Sequence, residues 1–206
     1  MNIEKKTVIS SKGEITLYTL TNAAGASVTL SSLGAGIVAA CVPGKDGTLA
    51  DVVLGYADAA DYFGDGPCAG KTPGRYANRI AGGKFTLNGE EIQLTQNDGP
   101  NCLHGGGATG WMHQVYDAEQ IGDSCLKLTI VAQDGENGFP GTVTAITTYT
   151  VKADNTLDMV WEATTDKETI INQTNHNYYN LNGNFNEVGT DMLLYLNADN
   201  FTPCDS

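Results

Sequence analysis

Runs of alternating apolar and β-branched residues, each closed by a glycine-bearing turn, follow one another at roughly ten-residue intervals along this chain. That rhythm is the spacing of an antiparallel sandwich or barrel. Residues 15–20 and 26–30 are two such runs, and residues 21–25 between them read as a hairpin turn. Residues 37–42, the turn at 44–47 and a further run at 51–56 continue the pattern as a β-meander, with one short helical turn expected over 57–62. Residues 64–74 are rich in Gly and Pro and read as a loop. Residues 84–94 read as two strands around Asn88-Gly89, a strong hairpin signal. Strands are expected again at 126–131, 143–151 and 157–164, with a turn cluster at 134–141. Residues 193–203 look like one more strand. The fold class predicted is therefore all-β, and 206 residues with 41% apolar content suit a single domain over 1–206 around one sizeable core.

Charge removes several function classes. Eleven Lys plus Arg against 24 Asp plus Glu give a formal net charge of −13, which repels a phosphate backbone and anionic lipid. Nucleic acid and membrane surfaces are therefore not expected partners. A neutral ligand such as a free sugar feels no such repulsion, whereas a sugar phosphate needs a basic cluster, for which only Lys71, Arg75 and Arg79 are available. Cys41, Cys68, Cys102, Cys125 and Cys204 are odd in number and widely spaced, with no Cys-x-x-Cys pair. They read as reduced thiols, and neither a disulfide framework nor a metal site is expected. The first residues lack the apolar run of a signal peptide and no stretch has the length of a membrane span, so a soluble, cytoplasmic protein is expected.

Three stretches carry chemistry. Residues 172–181 place His176 among Asn175, Asn177, Asn180, Tyr178 and Tyr179. Histidine can give or take a proton near neutrality, amides offer both a donor and an acceptor, and aromatic faces stack on sugar rings. A histidine in a polar turn also fits a purely structural role, but this density of amides and phenols points to a polyhydroxylated ligand. In residues 74–80, Arg75 and Arg79 flank Asn78 and supply planar forks of donors for an oxygen-rich ligand, or equally for surface carboxylates. In residues 97–107, His104 precedes three glycines that let backbone approach a ligand closely, which also fits plain turn structure. His113 reads as structural or solvent-facing, and Trp111 as core in preference to a wall of the site.

The His176 stretch resembles the signature of the aldose 1-epimerases, or galactose mutarotases, an Asn-x-Thr-Asn-His-x-Tyr-aromatic-Asn-Leu run; Tyr179 stands where that pattern usually has Phe or Trp. Residues 74–80 resemble the family's Gly-Arg-x-x-Asn-Arg-Ile segment, residues 101–106 its Asn-x-Leu-His-Gly-Gly segment, and residues 134–141 its Asp-Gly-x-x-Gly-aromatic-Pro-Gly loop, all in family order. The resemblance implies a large antiparallel β-sandwich, the supersandwich, with no metal or organic cofactor. It implies that His176 is the catalytic acid and that His104 binds the sugar or assists catalysis. Asn78 and Arg79 touch sugar hydroxyls, Asn177 and Tyr178 help, and Arg75 supports.

In the family the base is a glutamate beyond the histidine motif. Glu136, Glu162 and Glu168 match no such motif, so the chain is expected to lack the C-terminal part of the family domain, which a second polypeptide could carry. The function expected is interconversion of the α and β anomers of free hexoses such as galactose or glucose. A hexose-phosphate 1-epimerase and a non-catalytic carbohydrate-binding sandwich are the other readings.

Overall fold

The computed structural model describes residues 1–64 and 66–201; Cys204 and the end of the strand expected at 193–203 lie outside the described residues. Strands β1 (Asn2–Ser10), β2 (Gly13–Thr21), β3 (Ser27–Ser31), β4 (Gly36–Pro43) and β5 (Leu49–Asp51) form one five-stranded sheet. Each strand pairs antiparallel with the next, so the sheet is a meander, as expected. Two short ladders follow. β6 (Arg79–Ile80) pairs with a two-residue strand at 102–103, and β7 (Lys84–Leu87) pairs with β8 (Glu90–Gln93) across the Asn88-Gly89 turn. The partner of β6 is β9 (Cys102–Leu103). The last sheet is a second meander of β10 (Asp117–Ile121), β11 (Cys125–Ala132), β12 (Val143–Val151) and β13 (Leu157–Thr165).

One face of each meander is apolar, and together they bury a common core, which makes the architecture a sandwich. Along β12 every second residue, Val143, Ala145, Thr147, Tyr149 and Val151, is buried, the period-2 signature of a sheet face. These residues join Leu126 and Leu128 of β11 and Leu20, Val28, Leu30 and Ile37 of the first meander in one apolar cluster. The opposite face of the first meander carries a second cluster, Ile15 and Leu33 with Tyr62 and Ala69. The apolar residue Trp111 is 2% exposed and belongs to the shared core.

Two expected strands differ from what forms. The run at 51–56 leaves the sheet after Asp51, whose carboxylate accepts the backbone N–H of Ala40 and of Val53. Val53 then bridges to Tyr179, while Leu54 N–H donates to the Tyr178 carbonyl and Asn180 N–H to the Val52 carbonyl. The chain thus abandons its sequence neighbours for the His176 stretch. Residues 193–200 form no strand either, and Leu193, Leu194, Tyr195 and Leu196 are exposed. Among the described residues no helix is long and apolar enough to cross a membrane.

Candidate functional site

The segment Gly70–Ile80 forms the spine on which the site is assembled. Gly70 N–H donates to the His176 carbonyl at 3.0 Å and His176 N–H to the Lys71 carbonyl at 2.8 Å. Further along, Asn172 N–H donates to the Arg75 carbonyl and Ala77 N–H to the Asn172 carbonyl, so the His176 stretch runs beside the spine and is bridged to it at Asn172. On the other side, β6 pairs with β9 and His104 N–H donates to the Asn78 carbonyl at 3.0 Å. His176 and His104 are far apart in sequence and arrive from opposite sides of the same backbone.

Gly70 has to be glycine for this. Its φ is +69°, and a Cβ there would lie 1.8 Å from the Ile37 carbonyl oxygen. Lys71 is anchored beneath it. The side chain is 1% exposed, and Nζ donates to the Tyr62 carbonyl at 2.5 Å. Arg75 is buried as well and serves structure. Its guanidinium donates to the carbonyls of Pro140, Gly141 and Gln133 and to the Thr169 hydroxyl, closing the turn cluster that precedes β12. Burial lowers the Arg75 pKa, with Glu136, Asp134 and Asp166 opposing that shift.

The two imidazoles meet edge to face, with ring centroids 5.1 Å apart and planes at 89°. Tyr178 flanks His176 at 5.3 Å, and its hydroxyl donates to the Pro67 carbonyl, which fixes the ring. His104 Nδ1 accepts the main-chain N–H of Asn78 at 3.0 Å. The His104 pKa is pushed down to about 4, first by burial, then by the charges of His176 and Arg79, with Asp98 opposing. Asn78 is exposed, in the left-handed region at φ +64°, and Arg79 Nε donates to the Asp98 carboxylate at 2.7 Å.

His176, His104, Asn78, Arg79 and Tyr178 are therefore brought together. Asn177 points elsewhere. Its Nδ2 donates to the Tyr179 hydroxyl, and its Oδ1 lies against Gly70, where a Cβ would come within 3.0 Å of it. His113 closes a short 3-10 turn over Trp111–His113, with its N–H donating to the Gly110 carbonyl. Among the described residues no carboxylate hydrogen-bonds to either ring, and Glu168 is engaged by Asn88. No group of three or more metal-ligating side chains is poised to hold an ion among the described residues. Sequence reasoning missed the roles of the Lys71 anchor and of the Asn78 main-chain N–H. A main-chain donor leaves no residue-type signal, and a lysine in a Gly/Pro-rich loop reads as solvated.

The aldose 1-epimerase family model matches residues 16–206. The chain is 36% identical to an aldose 1-epimerase of Escherichia coli (strain K12) over 189 residues, covering 92% of this chain and 54% of that protein. It is 37% identical to a galactose mutarotase of Sus scrofa, covering 86% of this chain and 51% of that protein. Among solved structures, a galactose 1-epimerase from Lactobacillus acidophilus superposes with a TM-score of 0.76 at 31% identity, covering 87% of this chain and 54% of that one. An aldose epimerase homologue from C. elegans gives 0.77 at 29% identity, covering 88% and 52%. The chain thus spans about half the length of the curated relatives it matches. With four motifs in order, a matching fold and this extent of similarity, the chain belongs to the aldose 1-epimerase family.

Proposed function

We propose that this chain supplies the acid and much of the binding shell of an aldose 1-epimerase acting on free hexoses such as galactose or glucose. The reaction opens the hemiacetal, rotates about the C1–C2 bond and closes on the other face of the aldehyde. Opening delivers a proton to the ring oxygen while another leaves the anomeric hydroxyl, so an acid and a base must stand on either side of C1. His176 is the acid, His104, Asn78 and Arg79 orient the sugar, and Tyr178 offers a face for stacking; the base we expect is the glutamate of the family's C-terminal part. The observation that supports this best is the convergence of His104 and His176 at 5.1 Å, both held by main-chain bonds to one spine. A phosphorylated sugar is disfavoured because Lys71 and Arg75 are buried against carbonyls and Arg79 is paired with Asp98. A second reading, a carbohydrate-binding sandwich without turnover, draws on the lack of a carboxylate bonded to either imidazole among the described residues.

Polarimetry of freshly dissolved α-D-galactose separates the two. In the active protein His176→Ala is expected to slow mutarotation by ~10²–10⁴-fold, the usual contribution of one general acid, with the fold intact. A wild-type rate in that variant would count against the assignment, and sugar binding with no acceleration by the wild type would favour the binding module.

The partner chemistry we propose follows from exposed apolar side chains, among them Leu181, Val188, Leu193, Leu194, Tyr195 and Leu196. Exposed apolar side chains in such number are covered in a working protein, and the occupant we propose is the half of the relatives' fold that this match does not span. Sedimentation of the 206-residue chain should show self-association that mixing with that half relieves; a monomeric, cooperatively folded and active chain alone would contradict it. A reducing, cytoplasmic setting is the one we propose from cysteines that are odd in number and widely spaced in the sequence.

A further inference from the structure

We propose that the main-chain N–H of Asn78 locks His104 as the neutral Nε2–H tautomer, making it a fixed hydrogen-bond donor to an acceptor oxygen of the sugar with no part in proton transfer. This rests on the sugar-site reading above and assigns the two histidines different work.

The geometry is directional. A main-chain N–H can only donate, so the Nδ1 that receives it at 3.0 Å must present a lone pair. A neutral imidazole whose Nδ1 is an acceptor carries its proton on Nε2. The contact is reciprocal, because His104 N–H donates to the Asn78 carbonyl at 3.0 Å. Both residues hold left-handed backbone, φ +64° at Asn78 and φ +52° at His104, which closes this small ring of bonds and aims the imidazole at His176. Left-handed backbone is costly for a histidine, and such residues persist where the surroundings fix them.

The groups facing His104 oppose a second proton. His176 lies edge-on from the 172–181 stretch, Arg79 projects from β6 next to Asn78, and among the described residues Asp98, from the loop before β9, is the acidic group that acts on the ring, already engaged by Arg79. Protonating Nδ1 would break the Asn78 bond and set a cationic ring edge-on to His176, with centroids 5.1 Å apart. The direction of the His104 pKa agrees with this. The consequence for the reaction is a clean division. The proton that reaches the ring oxygen leaves His176, the proton of the anomeric hydroxyl goes to the base, and His104 ends each half-reaction as it began. Its ligand must be an acceptor, a ring oxygen or a hydroxyl lone pair.

Two-bond 1H–15N correlation spectra of the 15N-labelled 206-residue chain read the tautomer directly, with His104→Asn assigning the resonances and keeping the left-handed backbone accessible. The expected result is an unprotonated Nδ1 and a protonated Nε2 for His104, unchanged from pH 8 to about pH 5, with the Nε2–H shifting on addition of D-galactose while Nδ1 stays unprotonated. Asn78→Gly retains the main-chain N–H and the left-handed backbone, so the tautomer should persist there. His104→Asn should weaken galactose binding about tenfold, the loss of one hydrogen bond. An Nδ1-protonated or doubly protonated His104 above pH 5 would overturn the lock, even if galactose still binds. The expected tautomer with no response to any hexose would overturn the donor role and the sugar-site reading together.

Discussion

At the scale of single residues, the site depends on groups whose chemistry is settled by neighbours out of sequence reach. His104 and His176 were both legible as candidates because histidine among amides or glycines is a recognisable chemical pattern. Their difference was not legible, since it comes from a main-chain donor on one ring only. Arg75 was readable as a supporting residue; the carbonyls it reaches, those of Pro140, Gly141 and Gln133, were not legible from its neighbours in sequence. The depressed His104 pKa has a consequence for stability. Above the ordinary value of 6.5 the ring is neutral whether the chain is folded or unfolded, so its contribution is fully present. Between 6.5 and about 4 the unfolded chain binds a proton that the folded chain refuses, so stability falls as pH falls through that window. Urea midpoints at pH 7 and pH 5 should therefore differ more for the wild type than for His104→Asn. Equal differences would show that His104 titrates alike in both states.

At the scale of elements, legibility followed burial. β12 was plain because its alternate residues from Val143 to Val151 face the core, and β7 with β8 because Asn88-Gly89 marks the turn. β1 and β10 were not read at all. Both are edge strands, and β10 is exposed along its whole length, so neither carries the apolar alternation by which strands are recognised. The misread run at 51–56 failed for the opposite reason: its apolar residues are real, but Val52–Leu54 pair with Tyr178–Asn180, a contact no local pattern encodes. The His176 stretch is in this way held on two sides, by residues 52–54 and by Gly70 and Lys71. Gly70→Ala should disturb this arrangement, because the new methyl meets the Ile37 carbonyl and φ +69° is strained for alanine. A loss of roughly 2–4 kcal/mol is expected, in the range of strain with overpacking. The imidazole resonances of His176 should move as well. A variant as stable as wild type with unshifted His176 resonances would mean that this spine does not position the ring.

At the scale of the whole molecule, the two meanders share a core that accounts for the sandwich, yet the edge beyond β13 and the residues from Leu181 to Leu196 leave apolar surface uncovered. A sandwich was legible from the spacing of strands and turns; the supersandwich came from motif resemblance, since periodicity cannot count the strands of a complete fold. The net charge of −13 and the buried Lys71 and Arg75 disfavour anions, and a neutral polyol is the ligand we propose for the paired histidines. Calorimetric titration of the 206-residue chain with D-galactose and with galactose 6-phosphate tests that claim most directly. Saturable binding of the free sugar, weakened by His176→Ala and absent for the phosphate, is the predicted result. Binding of the phosphate alone, or free-sugar binding indifferent to His176, would contradict it.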